Sequence, residues 1–451
     1  MKKNAELVFK IAYLLLVLLS FNVFFARHWY MTYVSYAVIA FGMVVGVLRL
    51  LHIKEYLNVS VFLLLSFTCS YILGAVNSFE YGYTDNIKAV VWMAIQYFLI
   101  FAFDENEDYS NERDTLFKVF LTYTGIAAVI SLWMMIIDWK YYSFVDGIYW
   151  VFGGFIDNRL WGCYTDPNYG AILAIVSAII SLKYLLEDKQ IKKPFKALLI
   201  VNIVFEFLYV CYSDSRTGLL AIVASVIVLV VVWLSKTKGL IKTVALSIAI
   251  VAVIIGAIYA VRFATSEIKV QIAKISATRA GMTQDEIAAE MDLARVGRED
   301  DQIGEGKDVT NNRIAIWKNA ITIFRQHPII GISYRNIREY ALDNIRTKYA
   351  GFESMHNFFF DVLVSQGIVG VIILFMLIAW VLWTLIKKYK SLSGYREFAF
   401  MLAIIAAIFA SMLTYSETFY MNTGGAFLFW YVLGYLVNFK NKDNESIEEK
   451  V

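Results

Sequence analysis

Apolar residues run in long unbroken blocks along this chain, separated by short polar breaks. The blocks lie near 9–25, 31–51, 57–76, 89–103, 116–137, 167–186, 197–212, 217–235, 243–262, 366–386, 397–415 and 424–439. A bilayer core takes about 20 apolar residues per helix, so the pattern predicts roughly twelve membrane-spanning helices. The blocks at 89–103, 197–212 and 424–439 are the shortest. The short alternating segments of a β-barrel are not seen. The expected fold class is an all-α integral membrane protein. Its expected organisation is a bundle of spans 1–9 over 1–262, a polar segment over 263–365, spans 10–12 over 366–439, and a tail over 440–451.

The polar segment carries helix patterns of its own. "TQDEIAAEMDLAR" opens with a capping box, Thr283 followed by Glu286. "NNRIAIWKNAITIFRQHP" places Ile314, Trp317, Ile321 and Phe324 at helical spacing and stops at Pro328. "SYRNIREYALDNIRTKY" is a second amphipathic stretch, and "VGREDDQIGEGKDV" reads as a connector.

Composition agrees with a membrane chain. It is 59% hydrophobic and 18% charged, against about half and about a quarter in soluble domains. Three prolines in 451 residues leave the apolar blocks free to run as helices. The first block is too long for a signal peptide, lacks a small-residue cleavage site, and is followed at once by further spans. If the N-terminus is cytoplasmic, the loops on its side hold several times as many Lys and Arg as the short loops opposite. That bias orients the chain, with both termini inside. The clearest inner loops are "LKYLLEDKQIKKPFK", "SKTKGLIK" and "IKKYKSLSGYR". By parity the 263–365 segment lies outside, as a helical cap. Its basic and acidic residues are nearly balanced, and long loops cross regardless of charge. The net charge of +3 follows from topology and gives no sign of nucleic-acid binding. Cys69, Cys163 and Cys211 fall in or beside spans at no metal or redox spacing and read as ordinary buried residues.

The outer side collects the chemistry. "FGGFIDNRLWGCYTDPNYGA" carries Asp157, Arg159, Asp166 and Asn168. "CYSDSRTGLLA" holds Asp214 and Arg216 in a tight turn, "NNRIAIW" holds Arg313, and "SMHNFFF" holds His356 and Asn357 before a span. An arginine at a span end is either a snorkelling anchor or a phosphate ligand. Arg216 stands on the side where the bias disfavours cations, which points to a site. Arg159 and Arg313 follow the same logic more weakly, and Arg313 equally suits a solvated helix face. His356 is either an interfacial cap or a general base, since an ordinary imidazole takes up protons near neutral pH. The other histidines sit in short loops (His28, His52) or in the "HPIIG" helix stop (His327). No histidine pair has metal-ligand spacing, so no metal site is expected. No ATPase-type phosphate loop or dinucleotide fingerprint occurs, and no cofactor is called for.

In order, "RLWGCYTDPNYGAILA", "SDSRTGLLA", "NNRIAIWKNAITIFRQHPIIGIS" and "MHNFFFDVLVSQGIVGVI" resemble the O-antigen ligase/polymerase family and the related O-oligosaccharyltransferases. The resemblance covers about 150–390, and the single long outer loop before the tenth span belongs to the same pattern. Gln366 stands where an acidic residue is common nearby, and "GIS" replaces a Gly-x-Gly.

The resemblance implies a GT-C type fold and a metal-independent enzyme acting at the outer face of the bacterial cytoplasmic membrane. Its donor is a glycan on undecaprenyl diphosphate and its acceptor is another glycan. A flippase and a chain-length regulator are implied as protein partners. Arg216 and Arg313, with Arg159 as a looser match, are then diphosphate ligands. His356 is the base that activates the acceptor, with Asp214, Asn168 and Asn357 in support. Polymerisation of surface-polysaccharide repeat units is the favoured reading. Transfer to lipid A core or to protein shares the donor. A flippase is the alternative of another class, but it would more often show ionisable residues at mid-membrane. The loop aromatics Tyr334, Tyr340, Tyr349 and Phe352 suit either sugar stacking or a cap core.

Overall fold

The structure, a computed structural model, describes residues 2–104, 106–145, 149–187, 191–297, 312–345, 352–391, 396–416 and 418–438. In chain order the elements are α1 (Lys2–Ser20), α2 (Trp29–Leu50), α3 (Val59–Asn77), α4 (Tyr83–Ala94), α5 (Ser110–Ile136), β1 (Lys140–Val145), β2 (Tyr149–Ile156), β3 (Arg159–Gly162), α6 (Pro167–Glu187), α7 (Lys193–Ser213), α8 (Arg216–Lys238), α9 (Leu240–Arg279), α10 (Gln284–Leu293), α11 (Arg313–Gln326), α12 (Ile337–Asn344), α13 (Phe358–Ser391), α14 (Arg396–Ser411) and α15 (Gly424–Val437). A helix stands at each of the twelve apolar blocks. Eight described helices are long and apolar enough to cross a membrane: α2, α3, α5, α6, α7, α8, α9 and α13. The chain is a membrane-spanning protein. The helices α14 and α15 have 16 and 14 residues, fewer than the roughly 20 that a bilayer takes.

Two features depart from the expected pattern. The strands β1, β2 and β3 form a small antiparallel sheet in that order, where only helices were anticipated. Their sequences, "KYYSFV" and "YWVFGGFI", are rich in the aromatic residues that suit a pleated surface. The left-handed pair Asp157 and Asn158 turns β2 into β3. In addition, α9 runs past the expected end at 262 to Arg279, because its polar second half keeps helical propensity. The capping box of α10 forms, and α11 stops at Gln326 before Pro328. Most of the connector, the tail at 440–451 and Tyr349 lie outside the described residues.

The chain divides into two compact units. The first comprises 1–17, 32–116 and 308–451. Here α3 and α11 pack on α13, and α15 packs on α14 and on the π-helical turn Ile95–Phe101 that continues α4. Such a turn frees carbonyls, and Arg49, fully buried, donates to those of Phe98 and Ala102. Its charge is met by Glu6 at 2.7 Å. Nearby in the chain, buried Lys10 pairs with Glu112 at 2.6 Å. Glu6→Ala leaves the Arg49 guanidinium buried without its carboxylate, and such a break costs about 3–5 kcal/mol. The expected result is a lower melting temperature in detergent, largely recovered by removing Arg49 as well. An unchanged melting temperature for Glu6→Ala would contradict the pairing.

Two of the sequence motifs meet in this unit. Residues 328–333 lie along the kink of α13: Ile332 N donates to Val364 O (3.1 Å), Ser333 N to Ser365 O (2.9 Å) and Ile368 N to Pro328 O (2.9 Å). Gly331 and Gly367 are left-handed (φ 65° and 58°), and a Cβ on either would lie within 2.6 Å of the other's backbone segment. Gln366 is buried, accepts from Ser70 and donates to Tyr420 at 2.7 Å. A neutral amide, able to accept and donate at once, suits that place better than a carboxylate.

The second unit comprises 18–31 and 117–307. Its α6 packs on α7 and α8, α8 on α9, and α9 on α10, while β3 lies against α6 and α7. Polar side chains line the contact of α5, α6 and α7. Thr124 and Ser177 share a hydrogen bond (2.8 Å), and Asn202 donates to Ser177 and Ser181 (2.9 and 3.0 Å). Glu206, 1% exposed, reaches Ser177 and Thr124. It is an ionisable group buried within a span, where none had been singled out. Cys163 and Cys211 are buried as expected, but Cys69 is exposed.

Candidate functional site

Arg159, Asn168, Asp214 and Arg216 lie in the second unit; Arg313, His356 and Asn357 lie in the first.

In the second unit, α7 ends in a left-handed Asp214 (φ 45°) and α8 begins two residues later. Ser215 caps α8, its Oγ accepting from Gly218 N at 2.9 Å, and the same hydroxyl donates to Asn168 Oδ1 at 2.8 Å. Asn168 stands in the first turn of α6, capped by Asp166, which accepts from the backbone N–H of Asn168 (2.6 Å) and Tyr169 (3.1 Å). Burial pushes the Asp166 carboxyl up against the pull of those bonds. Ser215 thereby ties the N-termini of α6 and α8 together. Helix N-termini are positive and suit anions. Arg216 is the first residue of α8 and is exposed.

Two further arginines bond to this turn. Arg159 Nε donates to Ser213 O (2.9 Å) and Nη2 to Asp214 O (3.5 Å), capping the carbonyl end of α7. The Asp214 carboxylate pairs with Arg262 of α9. Arg262 was not among the expected residues. Its partner is 48 residues away, and inside a 40-residue helix it reads as the end of a span. Asp214 and Asn168 thus shape the turn that presents Arg216.

In the first unit, His356 sits in a left-handed turn (φ 50°) just before α13. Asn357 caps that helix, accepting from Phe359 N at 3.0 Å, and its amide donates to Leu413 O at 3.0 Å. Phe358 N donates to Met412 O (3.1 Å). Arg313, at the start of α11, donates to Thr414 O (2.9 Å). The segment following α14 therefore offers three successive carbonyls, at 412, 413 and 414. Through them it docks the histidine turn and Arg313 together. Trp317, one turn along α11, donates to Met355 O (3.0 Å) and stacks on Phe360. Burial and then the Arg313 charge lower His356 from its ordinary value to about 4. At neutral pH it is unprotonated, and it is a weaker base than an ordinary imidazole as long as the Arg313 charge is not offset.

The loop aromatics divide. Tyr334 is buried and stacked on Tyr420 (4.8 Å), and Tyr340 is buried and bonded to His327 (2.9 Å). Both are core residues, which removes the sugar-stacking reading for them. Phe352 meets the His356 ring edge-on at 5.9 Å. No group of three or more His, Cys, Asp or Glu suited to a metal ion occurs among the described residues.

No curated protein matches this chain. Residues 201–375, which carry Arg216, Arg313 and His356, match the family model described as O-antigen ligase. That match, over 175 of the 451 residues, supports the likeness to the O-antigen ligase/polymerase family read from the sequence motifs.

Proposed function

We propose that the protein polymerises oligosaccharide repeat units carried on undecaprenyl diphosphate, at the outer face of the cytoplasmic membrane. The observation that carries this reading is the docking of Arg313 beside a neutral His356 in one turn system. A base must be unprotonated, and a leaving diphosphate must be met by fixed positive charge. In this mechanism His356 takes the proton of an acceptor hydroxyl as its oxygen attacks the anomeric carbon. The bond from that carbon to the diphosphate oxygen breaks on the opposite face, and the lipid diphosphate departs with the electron pair. The sugar configuration inverts. Arg313 and Arg216 are the groups assigned to the diphosphate. The ordered helices of 263–365 are assigned to the glycans.

The description of the matched family favours one other reading, transfer of a finished glycan to lipid A core. Purified protein in liposomes, given lipid-diphosphate-linked repeat units alone, separates the two. A ladder of lengthening glycans is the polymerase result. No ladder, with transfer appearing only when lipid A core is added, makes the protein a ligase. Failure of both reactions with folded protein would direct attention to glycan transport, for which the buried Glu206 would be the first residue to test.

A further inference from the structure

The turn that presents His356 is held from below by a side chain to which no role has been given. Asp361 stands in the first turn of α13 and is 1% exposed. Its Oδ1 accepts from the backbone N–H of Met355 at 2.7 Å, one residue before His356. Its Oδ2 accepts from the hydroxyl of Ser416, two residues beyond the carbonyl that holds Arg313. One carboxylate thus joins the two strands of chain that carry the base and dock the arginine. The backbone it secures is in the left-handed region at a residue with a Cβ, which is costly unless the surroundings hold it. An acid in the first turn of a helix is commonly there for the helix dipole and faces solvent. Asp361 is buried and both its oxygens are engaged by other segments.

We propose that Asp361 is a positioning residue for the reaction, fixing the His356 turn against the 412–416 segment. The inference rests on the reading of His356 as the base. Asp361 itself exchanges no proton with substrate; it sets where the imidazole stands. A displacement of about 1 Å in a reacting group can cost on the order of 100-fold in rate.

The test measures kcat and KM on the lipid-diphosphate-linked donor for wild type, Asp361→Ala, Asp361→Asn, Ser416→Ala and His356→Ala, with melting temperatures alongside. Asp361→Ala is expected to lower kcat by about 10- to 100-fold with KM for the donor nearly unchanged. Asp361→Asn should recover most of that loss. Its amide oxygen still accepts from Met355, and the Ser416 hydroxyl can turn to accept from the amide nitrogen. Ser416→Ala removes one of the two bonds and should lower kcat less, in the same direction. If Asp361→Ala does not fold, the Asn and Ser416 variants carry the test alone. Wild-type kcat in Asp361→Ala, with His356→Ala inactive, would overturn the positioning role and leave the base intact. So would an Asn variant as slow as the Ala variant, since charge would then matter and geometry would not. Wild-type rates in His356→Ala would remove the base, and this inference with it.

Discussion

His356→Ala is expected to abolish glycan extension, a loss of about 100- to 10,000-fold in kcat, as for removal of a general base. The protein should still bind the donor, since the diphosphate contacts are assigned elsewhere. The pH profile gives the sharper form of this prediction. With its proton affinity lowered to about 4 by burial and by Arg313, the imidazole stays unprotonated well into the acid range. The acid limb of kcat/KM, which reports the free enzyme, should therefore fall near pH 4, away from the ordinary histidine range near 6.5. A donor diphosphate seated on Arg313 would offset the charge that depresses His356. The acid limb of kcat, which reports the complex, should then lie at higher pH than that of kcat/KM. An acid limb near 6.5 in both profiles would contradict the site. Stability moves over the same window and must be followed in parallel. The unfolded chain takes up the proton at about 6.5 and the folded one only at about 4. The contribution of this group is therefore lost as pH falls between those values.

The second large effect belongs to Arg216. Arg216→Ala is expected to lower kcat/KM on the lipid-linked donor by about 100- to 1000-fold, the scale for losing one preorganised charge stabiliser at a developing anion. Arg216→Lys should recover only part of this, because an ammonium cannot make the forked contact that a guanidinium makes to phosphate. The side chain is exposed at the start of α8, and melting temperatures measured alongside separate a loss of rate from a loss of fold. Arg159→Ala makes the contrast. Its guanidinium caps Ser213 and Asp214, so its loss should lower melting temperature as well as rate. If Arg216→Ala turned over donor at the wild-type rate, the snorkelling reading of that residue would stand.

Much of this was legible along the chain because it is local. The Thr283–Glu286 box and the stop of α11 before Pro328 need only residues within one helical turn. The apolar blocks became helices because a backbone in lipid must bond to itself. Asn357 and Ser215 were within reach as N-caps, each preceding a helical run. What was not legible depends on partners far away in sequence. The aromatic stretch from 140 to 162 pairs as strands only when Gly154 and its neighbours meet β1 and β3. Arg262 reads as a span end until Asp214 is folded against it. Tyr334 reads as a loop aromatic until it stacks on Tyr420.

The class of molecule, the order of its helices and the few polar residues that stand apart from the apolar background can all be read along the chain. Hydrophobic length and helix capping operate over one to six turns, and those distances are written in the chain. The contacts of each polar residue emerge with folding. It turned Arg159 into a cap and docked Arg313 on the same 412–414 segment as the His356 turn. It showed Glu206 buried among hydroxyls, and drew the segment from 412 to 416 under the histidine turn. Those assignments rest on hydrogen bonds and charges that act over a few ångströms between residues tens of positions apart. No pattern along the chain encodes them.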